Sequence, residues 1–145
     1  MKTEINERNI VLKGNLIMDL DANIRFTLDH DWLLPQEDGT LLFGKTDYGL
    51  IKLPNILSVE LPEPDSEHHY GLDEGMCVIE SQDLTIECLA PLICTVTEIN
   101  TELLVSPELI NEDPFGKGWI LRLSPDHPER LDEFFNIEEY EARFG

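Results

Sequence analysis

The sequence predicts a mainly β domain with short peripheral and C-terminal helices. Short apolar runs recur along the 145-residue chain, and turn-forming Gly, Pro, Asp and Asn residues separate them. Runs of this length, with alternating apolar and polar positions, are typical of half-buried strands joined by tight turns. The hydrophobic content of 41% is ordinary for a single globular domain with its own core.

Strands are predicted wherever such an apolar run lies between turn signals. They cover residues 24–27, 32–34, 40–43, 57–61, 76–79, 84–88, 93–99 and 119–123. Gly39 supplies a turn before the third run, since glycine takes positive φ without a steric penalty. Pro62 and Pro64 end the fourth run because proline cannot donate to a β-ladder. Residues 73–75 predict another turn, directly before the fifth run.

Residues 1–22 are predicted to be an N-terminal extension, and the domain itself is expected at residues 23–145. Within the extension, the apolar clusters at residues 10–12 and 16–18 are consistent with either a short strand or a docking arm.

Helical signals are confined to two places. Ser106 as a capping residue, with Pro107 at the first helical position, predicts a short helix that Asn111 can end. A C-terminal helix is predicted to open at Ser124 or Asp126. The apolar stripe assigned to packing in that region consists of Leu131, Phe134, Phe135 and Tyr140.

The charge of the chain is strongly negative. Thirty Asp and Glu residues against 10 Lys and Arg give a formal net charge of -20. Residues 53–112 contain neither Lys nor Arg, which predicts an acidic surface that repels nucleic acid and attracts a basic protein partner. The simpler interpretation is that the acidity keeps the protein in solution.

Other classes of function are disfavoured. No apolar run is long enough to span a membrane, and the first residues mix acids with apolar side chains, unlike a secretory signal or a transit peptide. The expected location is therefore cytoplasmic. Three cysteines within apolar alternations predict buried free thiols. The group Asp65, Glu67, His68 and His69 lacks the spacing of a metal site, and no nucleophile lies near a base, so no enzyme is predicted.

A hairpin carries the strongest functional signal. Residues 76–80 and 84–88 are alternating strands, and Ser81-Gln82-Asp83 joins them in a short polar turn. Serine and aspartate suit such a turn because their side chains hydrogen-bond to nearby backbone. This hairpin resembles the one that displays a cofactor-bearing lysine in the biotinyl and lipoyl carrier fold, a flattened β-barrel or sandwich.

The flanking segments are similar to the glycine cleavage system H-protein family over residues 24–144. The segments that carry the resemblance are FTLDHDW (26–32), GKTDY (44–48), VELP (59–62), NEDPFGKGW (111–119) and EEY (138–140). The resemblance implies a lipoyl-carrier domain whose lipoyl-lysine shuttles an aminomethyl group among the glycine cleavage enzymes. Those enzymes, or proteins that handle lipoate, are the partners it implies.

The family pattern at the hairpin is Glu-Ser-any-Lys, and here the residues are Glu80, Ser81, Gln82 and Asp83. Lipoate is the family cofactor, and it is attached through an amide that needs an amine. Asp83, at the position equivalent to the lipoyl-lysine, is therefore predicted to be unmodified, and no cofactor is predicted. Glu80, Ser81 and Gln82 become candidates for contact with a partner.

Two further positions follow from the resemblance. His30 and Asp31 correspond to the cleft that shelters the loaded arm, although both are also consistent with ordinary polar residues at the start of a strand. Cys94 stands at a family glycine, where a side chain must now be accommodated. Two functions remain: a binding or regulatory module without lipoate, or a working carrier that uses another attachment residue, Lys117 or a cysteine such as Cys88.

Overall fold

The computed structural model describes residues 7–11, 17–63 and 68–145, with side chains from residue 22 onward. Parts of the apolar clusters 10–12 and 16–18, and also Pro64, Asp65 and Glu67, lie outside the described residues. The backbone of β1 (Glu7–Val11) and β2 (Ile17–Asp21) forms an antiparallel hairpin that is a sheet of its own.

The remaining elements follow in short steps along the chain. The strands are β3 (Arg25–Phe26), β4 (Asp31–Pro35), β5 (Leu41–Lys45), β6 (Ile56–Glu60), β7 (His69–Tyr70), β8 (Gly75–Ser81), β9 (Thr85–Leu89), β10 (Cys94–Ile99) and β11 (Leu121–Pro125). Among the described residues, the helices are α1 (Leu109–Glu112), α2 (Ile137–Phe144) and the 3₁₀ helices Thr101–Leu104 and Pro128–Glu133.

Two antiparallel sheets form the body of the molecule. A six-stranded sheet has the order β3-β4-β5-β11-β10-β7, and a three-stranded sheet has the order β6-β8-β9. Both sheets contribute side chains to one core, which includes Leu33, Phe43, Ile79 and Leu123, each 0% exposed. The predicted mainly β, flattened barrel or sandwich architecture with short helices is confirmed.

A second apolar cluster fastens the C-terminal helix to the first strands. Phe26, Trp32 and Tyr140 are its large buried members, and the rings of Phe26 and Tyr140 stack with centroids 4.3 Å apart. Trp32 also donates from Nε1 to the carbonyl of Pro114 at 3.0 Å. The C-terminal helix is therefore an integral part of the fold rather than an appendage.

The strand predictions are confirmed with small shifts of boundary. The predicted run at 119–123 begins later, at Leu121, because the backbone N–H of Trp119 closes a turn to Gly116 instead of joining the sheet. Strand β7 was not predicted, since two residues are too short to show an alternation. The turn at Gly39 is confirmed, and its φ is 90°.

Both helix starts differ from the prediction. Ser106 does not cap α1: the residue before the helix is Glu108, which makes no side-chain capping bond, and the backbone N–H of Ser106 bonds to the carbonyl of Glu102 in the preceding turn. The helix begins two residues beyond Pro107 and includes Asn111. Ser124 does not open the C-terminal helix because it lies in β11, and Asp126 instead bonds through its N–H to Ile93.

The C-terminal helix opens at a different residue. The side chain of Asn136 accepts from the N–H of Glu139, and Glu139 accepts from the N–H of Asn136, which is a complete capping box. Tyr140 lies on this helix, whereas Leu131 belongs to the preceding 3₁₀ helix. In the part of the chain that the structure describes, no helix is long and apolar enough to cross a membrane.

Candidate functional site

The hairpin tip is built from the end of β8 and the start of β9. Ile79 lies opposite Ile86 and Glu80 opposite Thr85, so the strands remain in register up to the turn. The N–H and Oγ of Ser81 both donate to the carbonyl of Leu84 at 2.8 Å, and Ser81 Oγ accepts from the N–H of Leu84 at 3.1 Å. Ser81 is thus a structural residue of the turn, only 5% exposed.

Gln82 and Glu80 are held by the neighbouring segment that leads into β6. The N–H of Gln82 lies 3.3 Å and 3.2 Å from the carbonyls of Pro54 and Asn55. Asn55 Nδ2 donates to Gln82 Oε1 at 2.6 Å, and Ser58 Oγ donates to Glu80 Oε1 at 2.9 Å. These bonds restrain the tip on one side against the body of the protein.

Asp83 follows Gln82 in the exposed part of the turn. Its side chain is exposed, and the described residues provide it with neither a hydrogen bond nor an ion pair. A carboxylate with one methylene is a short, acceptor-only group at physiological pH. The tip can therefore accept hydrogen bonds and attract cations, but it offers no amine for an amide bond.

His30 and Asp31 lie at the start of β4, next to the buried lysine of β5. Asp31 and Lys45 are directly opposite in the ladder, and Lys45 Nζ lies 2.8 Å from Asp31 Oδ1. Thr27 Oγ1 donates to the other carboxylate oxygen at 3.1 Å, and Lys45 Nζ also donates to the carbonyl of Asp29 at 3.0 Å. Both carboxylate oxygens of Asp31 are thereby satisfied from within the protein.

This ion pair is withdrawn from solvent, since the side chains of Lys45 and Asp31 are 6% and 3% exposed. Burial raises the pKa of Asp31, and the charge of Lys45 and the two hydrogen bonds oppose that rise. Burial alone would lower the pKa of Lys45, but the neighbouring acidic groups, Asp31 first among them, together outweigh burial and raise that pKa. The lysine is therefore held as an ammonium.

His30 belongs to an aromatic cluster beside the ion pair. Its backbone is left-handed with φ of 65°, and its Nδ1 lies 2.8 Å from the hydroxyl of Tyr140. That hydroxyl also lies 2.8 Å from Thr46 Oγ1. Burial, followed by the charge of Lys45, lowers the pKa of His30, while burial raises that of Tyr140. The ring of His30 is consequently a neutral, partly buried group that joins β4 to α2.

The structure does not bring the two groups of candidates together. Asp31 and Lys45 pair across β4 and β5 of the six-stranded sheet, whereas the tip joins β8 and β9 of the three-stranded sheet. Among the described residues, no hydrogen bond or ion pair links His30 or Asp31 to Glu80, Ser81, Gln82 or Asp83.

The cysteines are packed inside the protein. Cys77 lies opposite Cys88 across the β8–β9 ladder, and the two residues are 4% and 2% exposed. Cys94, at the position where the family has a glycine, is 0% exposed, and burial raises its pKa to about 12. A buried thiol of high pKa is a poor nucleophile, so the prediction of buried thiols is confirmed.

Other candidates give no further site. Within the described ranges, no group of three or more His, Cys, Asp or Glu residues is arranged to hold a metal ion. His69 instead lies 3.0 Å from the carboxylate of Asp126. Lys117 is exposed in the loop before β11, and its backbone N–H donates to Asp113 Oδ2 at 2.9 Å.

Lys45 is the residue of the site whose role sequence reasoning missed. It stands in the GKTDY segment, but only the pairing of β4 with β5 shows that it faces Asp31. Lys45 lies two residues beyond the predicted run at 40–43, where it continues the inward alternation of Leu41 and Phe43. That alternation was the available signal, since lysine is almost never fully buried unless it is paired.

The model of the family described as "Glycine cleavage H-protein" matches residues 24–144 of the chain. The glycine cleavage system H protein of Thermus thermophilus is 39% identical over 124 residues, covering 86% of this chain and 94% of that protein. The corresponding protein of Alkalilimnicola ehrlichii is 37% identical over 119 residues, covering 82% and 90%.

A solved structure is similar in fold over nearly its whole length. The crystal structure of a glycine cleavage system H protein from Mycobacterium marinum superposes with a TM-score of 0.72 at 25% identity. The match covers 86% of this chain and 98% of that one.

Proposed function

Because the chain belongs to the glycine cleavage H-protein family, we propose that it is a member without lipoate at the hairpin tip and that it binds or regulates other proteins. H proteins are carriers rather than enzymes, so no catalytic residue is assigned. The observation that carries the proposal is the carboxylate of Asp83 at the position implied for the lipoyl-lysine, exposed at the end of a well-ordered turn.

The chemistry of attachment supports this proposal. Lipoyl transfer joins a carboxyl group to an amine, and an aspartate side chain supplies no nucleophilic nitrogen. The long flexible stem that lets a lysine swing between partners is also missing. The surrounding turn is intact, since Ser81 closes it and Gln82 is bound to Asn55. The scaffold thus remains suited to presenting the tip while the reactive group is different.

The Asp31 and Lys45 pair supports the proposal independently. The resemblance to the H-protein family implies that Asp31 lines the cleft for the loaded arm. The aminomethyl group on that arm is cationic when protonated. Here the ammonium of Lys45 already lies 2.8 Å from Asp31, and Thr27 occupies the second carboxylate oxygen. An incoming amine would have to displace a tethered one, at the cost of leaving Lys45 buried and unpaired.

An intact-mass measurement after coexpression with a lipoate ligase and lipoate tests the absence of attachment. The wild-type protein is expected to keep its unmodified mass. The variant Asp83→Lys is the matched positive control, because it restores an amine at the tip with the same turn around it, and Asp83→Asn is the neutral control. A lipoyl increment on the wild-type protein would overturn the proposal.

The second candidate function is a working carrier with another attachment residue. Lys117 favours it, because this amine is exposed in a loop and therefore reachable. Burial argues against attachment at Cys88, which is 2% exposed. Peptide mapping of the same coexpressed protein separates the two functions, since an adduct on Lys117 supports the carrier and its absence favours the binding module.

A competition assay tests the regulatory role. The protein is added to a reconstituted glycine cleavage system that contains an authentic lipoylated H protein, and glycine decarboxylation is followed. We expect inhibition that weakens as salt rises, because an acidic surface attracts its partners electrostatically. No inhibition at a tenfold excess would mean that the protein binds these enzymes more than about tenfold, or 1.4 kcal/mol, more weakly than the authentic H protein does, and would contradict the regulatory role.

A further inference from the structure

An exposed apolar group lies on the face next to the hairpin tip. Leu57 in β6 is 58% exposed, and Leu104 and Val105 at the end of the 3₁₀ helix Thr101–Leu104 are 55% and 85% exposed. Strand β6 packs against this 3₁₀ helix, so the three side chains lie on neighbouring elements. We call Leu57, Leu104 and Val105 the apolar patch.

The local backbone explains why these side chains point outward. The register of β6 with β8 shifts between Ile56 and Ser58, so Leu57 is the extra residue of a bulge. Bulges redirect a side chain and are frequent on edge strands, and β6 is the edge of its sheet. In the 3₁₀ helix, Leu103 is 0% exposed and anchors the turn, which leaves the next two residues on the surface.

The apolar patch adjoins the tip. Ile56, directly before Leu57, lies opposite Ser81. Asn55 binds Gln82 through its side chain at 2.6 Å, so the start of β6 and the turn form one continuous surface. A partner that approaches Asp83 from this side also meets the apolar patch.

The border of the apolar patch is acidic. Glu80 is exposed and accepts a hydrogen bond from Ser58, next to Leu57. Glu60 and Glu102 are exposed on the same two elements that carry the patch. The whole stretch from 53 to 112 lacks Lys and Arg. The exposed lysines nearest along the chain are Lys52 and Lys117, one just before this stretch and one after it.

We propose that the apolar patch is a docking surface for a protein that presents an apolar surface bordered by Lys and Arg. This inference rests on the proposed function, of which it specifies the partner chemistry. The apolar centre supplies contact area and the acidic border selects a basic partner, the arrangement of a protein interface. A second copy of the chain is disfavoured as the occupant, because the acidic borders of two copies would repel each other.

A designed peptide provides a defined probe of this chemistry. An amphipathic helix of about 18 residues, or five turns, places Leu on one face and Lys on the other. Binding of the full chain is measured by fluorescence anisotropy, with a Leu and Glu peptide and a Ser and Lys peptide as comparators. We expect saturable binding of the Leu and Lys peptide, and binding weaker by about tenfold or more for each comparator.

Matched variants test whether the apolar patch is the site. Leu57→Ser and Val105→Ser are each expected to weaken binding about fivefold to tenfold, a loss that marks residues at the centre of an interface rather than at its rim. Leu72→Ser is the control, because Leu72 is 59% exposed and precedes the opposite end of β8. It is expected to change the affinity less than twofold. Equal effects at Leu57 and Leu72, or no effect at either, would overturn the proposed surface.

A second measurement does not depend on the variants folding. In the wild-type protein, amide exchange of residues 55–60 and 101–105 is expected to slow when the peptide binds. Slowing confined to other segments would overturn the surface while leaving the proposed function intact. Conversely, lipoylation of the wild-type protein would contradict the proposed function whatever the peptide result, so the two failures are distinguishable.

Discussion

Removing the charge of Lys45 should unfold the protein at a much lower temperature. The substitution Lys45→Met keeps an unbranched apolar side chain one atom shorter than lysine, but it leaves Asp31, which is 2% exposed, without its counter-ion. Thr27 then provides the remaining side-chain hydrogen bond to the carboxylate. Breaking a buried pair by removing one partner costs about 3–5 kcal/mol, because a buried charge is left uncompensated.

The expected fall in melting temperature follows from that free energy. For a protein of about 150 residues, each kcal/mol shifts the melting temperature by roughly 2–4 °C, so Lys45→Met should melt about 6–20 °C lower. The double variant Asp31→Asn with Lys45→Met removes both charges and should recover most of that loss, to within about 1–2 kcal/mol of the wild type. Chemical denaturation of the wild type, the single variants Asp31→Asn and Lys45→Met, and the double variant gives the coupling energy.

The pH dependence provides a sharper test of the cause. Burial raises the pKa of Asp31 already in the wild type, and loss of Lys45 raises it further. When the pKa of a carboxyl group is higher in the folded state than in the unfolded state, the protein gains stability as the pH falls through the range between the two pKa values. Lys45→Met should therefore be less destabilised at pH 5 than at pH 8. A cost below about 1 kcal/mol at pH 8 would refute the reasoning, because it would indicate a solvent-screened pair.

Three further substitutions address the turn, the helix cap and the histidine. Ser81→Ala should cost about 1 kcal/mol and speed amide exchange at Leu84, because the two bonds of the Ser81 hydroxyl across the turn are lost while the backbone bond from Ser81 to Leu84 remains; unchanged exchange would contradict this. Asn136→Ala should cost about 1 kcal/mol by denaturation, with lost helicity, because it removes the capping box. Burial lowers the pKa of His30, so lowering the pH from 7.5 to 5.5 should destabilise the wild type more than His30→Asn. Parallel stability curves for these two proteins would contradict that prediction.

The elements that sequence could predict are those set by local chemistry. The hairpin of β8 and β9 follows from two alternating runs and a polar turn, and Ser81 closes that turn as its residue type predicts. The helix starts could not be predicted equally well, because several residues compete for the capping role. The residue that precedes α1 is Glu108, not Ser106, whereas Asn136 forms the reciprocal bonds that set the start of α2.

The ion pair of the candidate site could not be predicted from local patterns. Asp31 and Lys45 are 14 residues apart, and they meet because β4 and β5 pair in one particular register. A shift by one residue would place them on opposite faces of the sheet. The register depends on the burial of Leu33 and Phe43 in the common core, which is a property of the whole fold.

A carrier needs an amine at the tip for lipoate and, on the resemblance, a free carboxylate in the cleft for the charged arm. One substitution alone cannot restore both. On the proposed function, Asp83→Lys supplies an amine for lipoate, yet Asp31 remains bound to Lys45 at 2.8 Å and offers no free carboxylate to a charged arm. Asp83→Lys should therefore accept lipoate but protect an aminomethyl adduct poorly. Adding Lys45→Met frees the carboxylate, and its negative charge is then compensated by the bound amine instead of by lysine. The double variant should hold the adduct longer than Asp83→Lys does, measured as the lifetime of the loaded protein by intact mass. Equal lifetimes would show that Lys45 does not compete for this site.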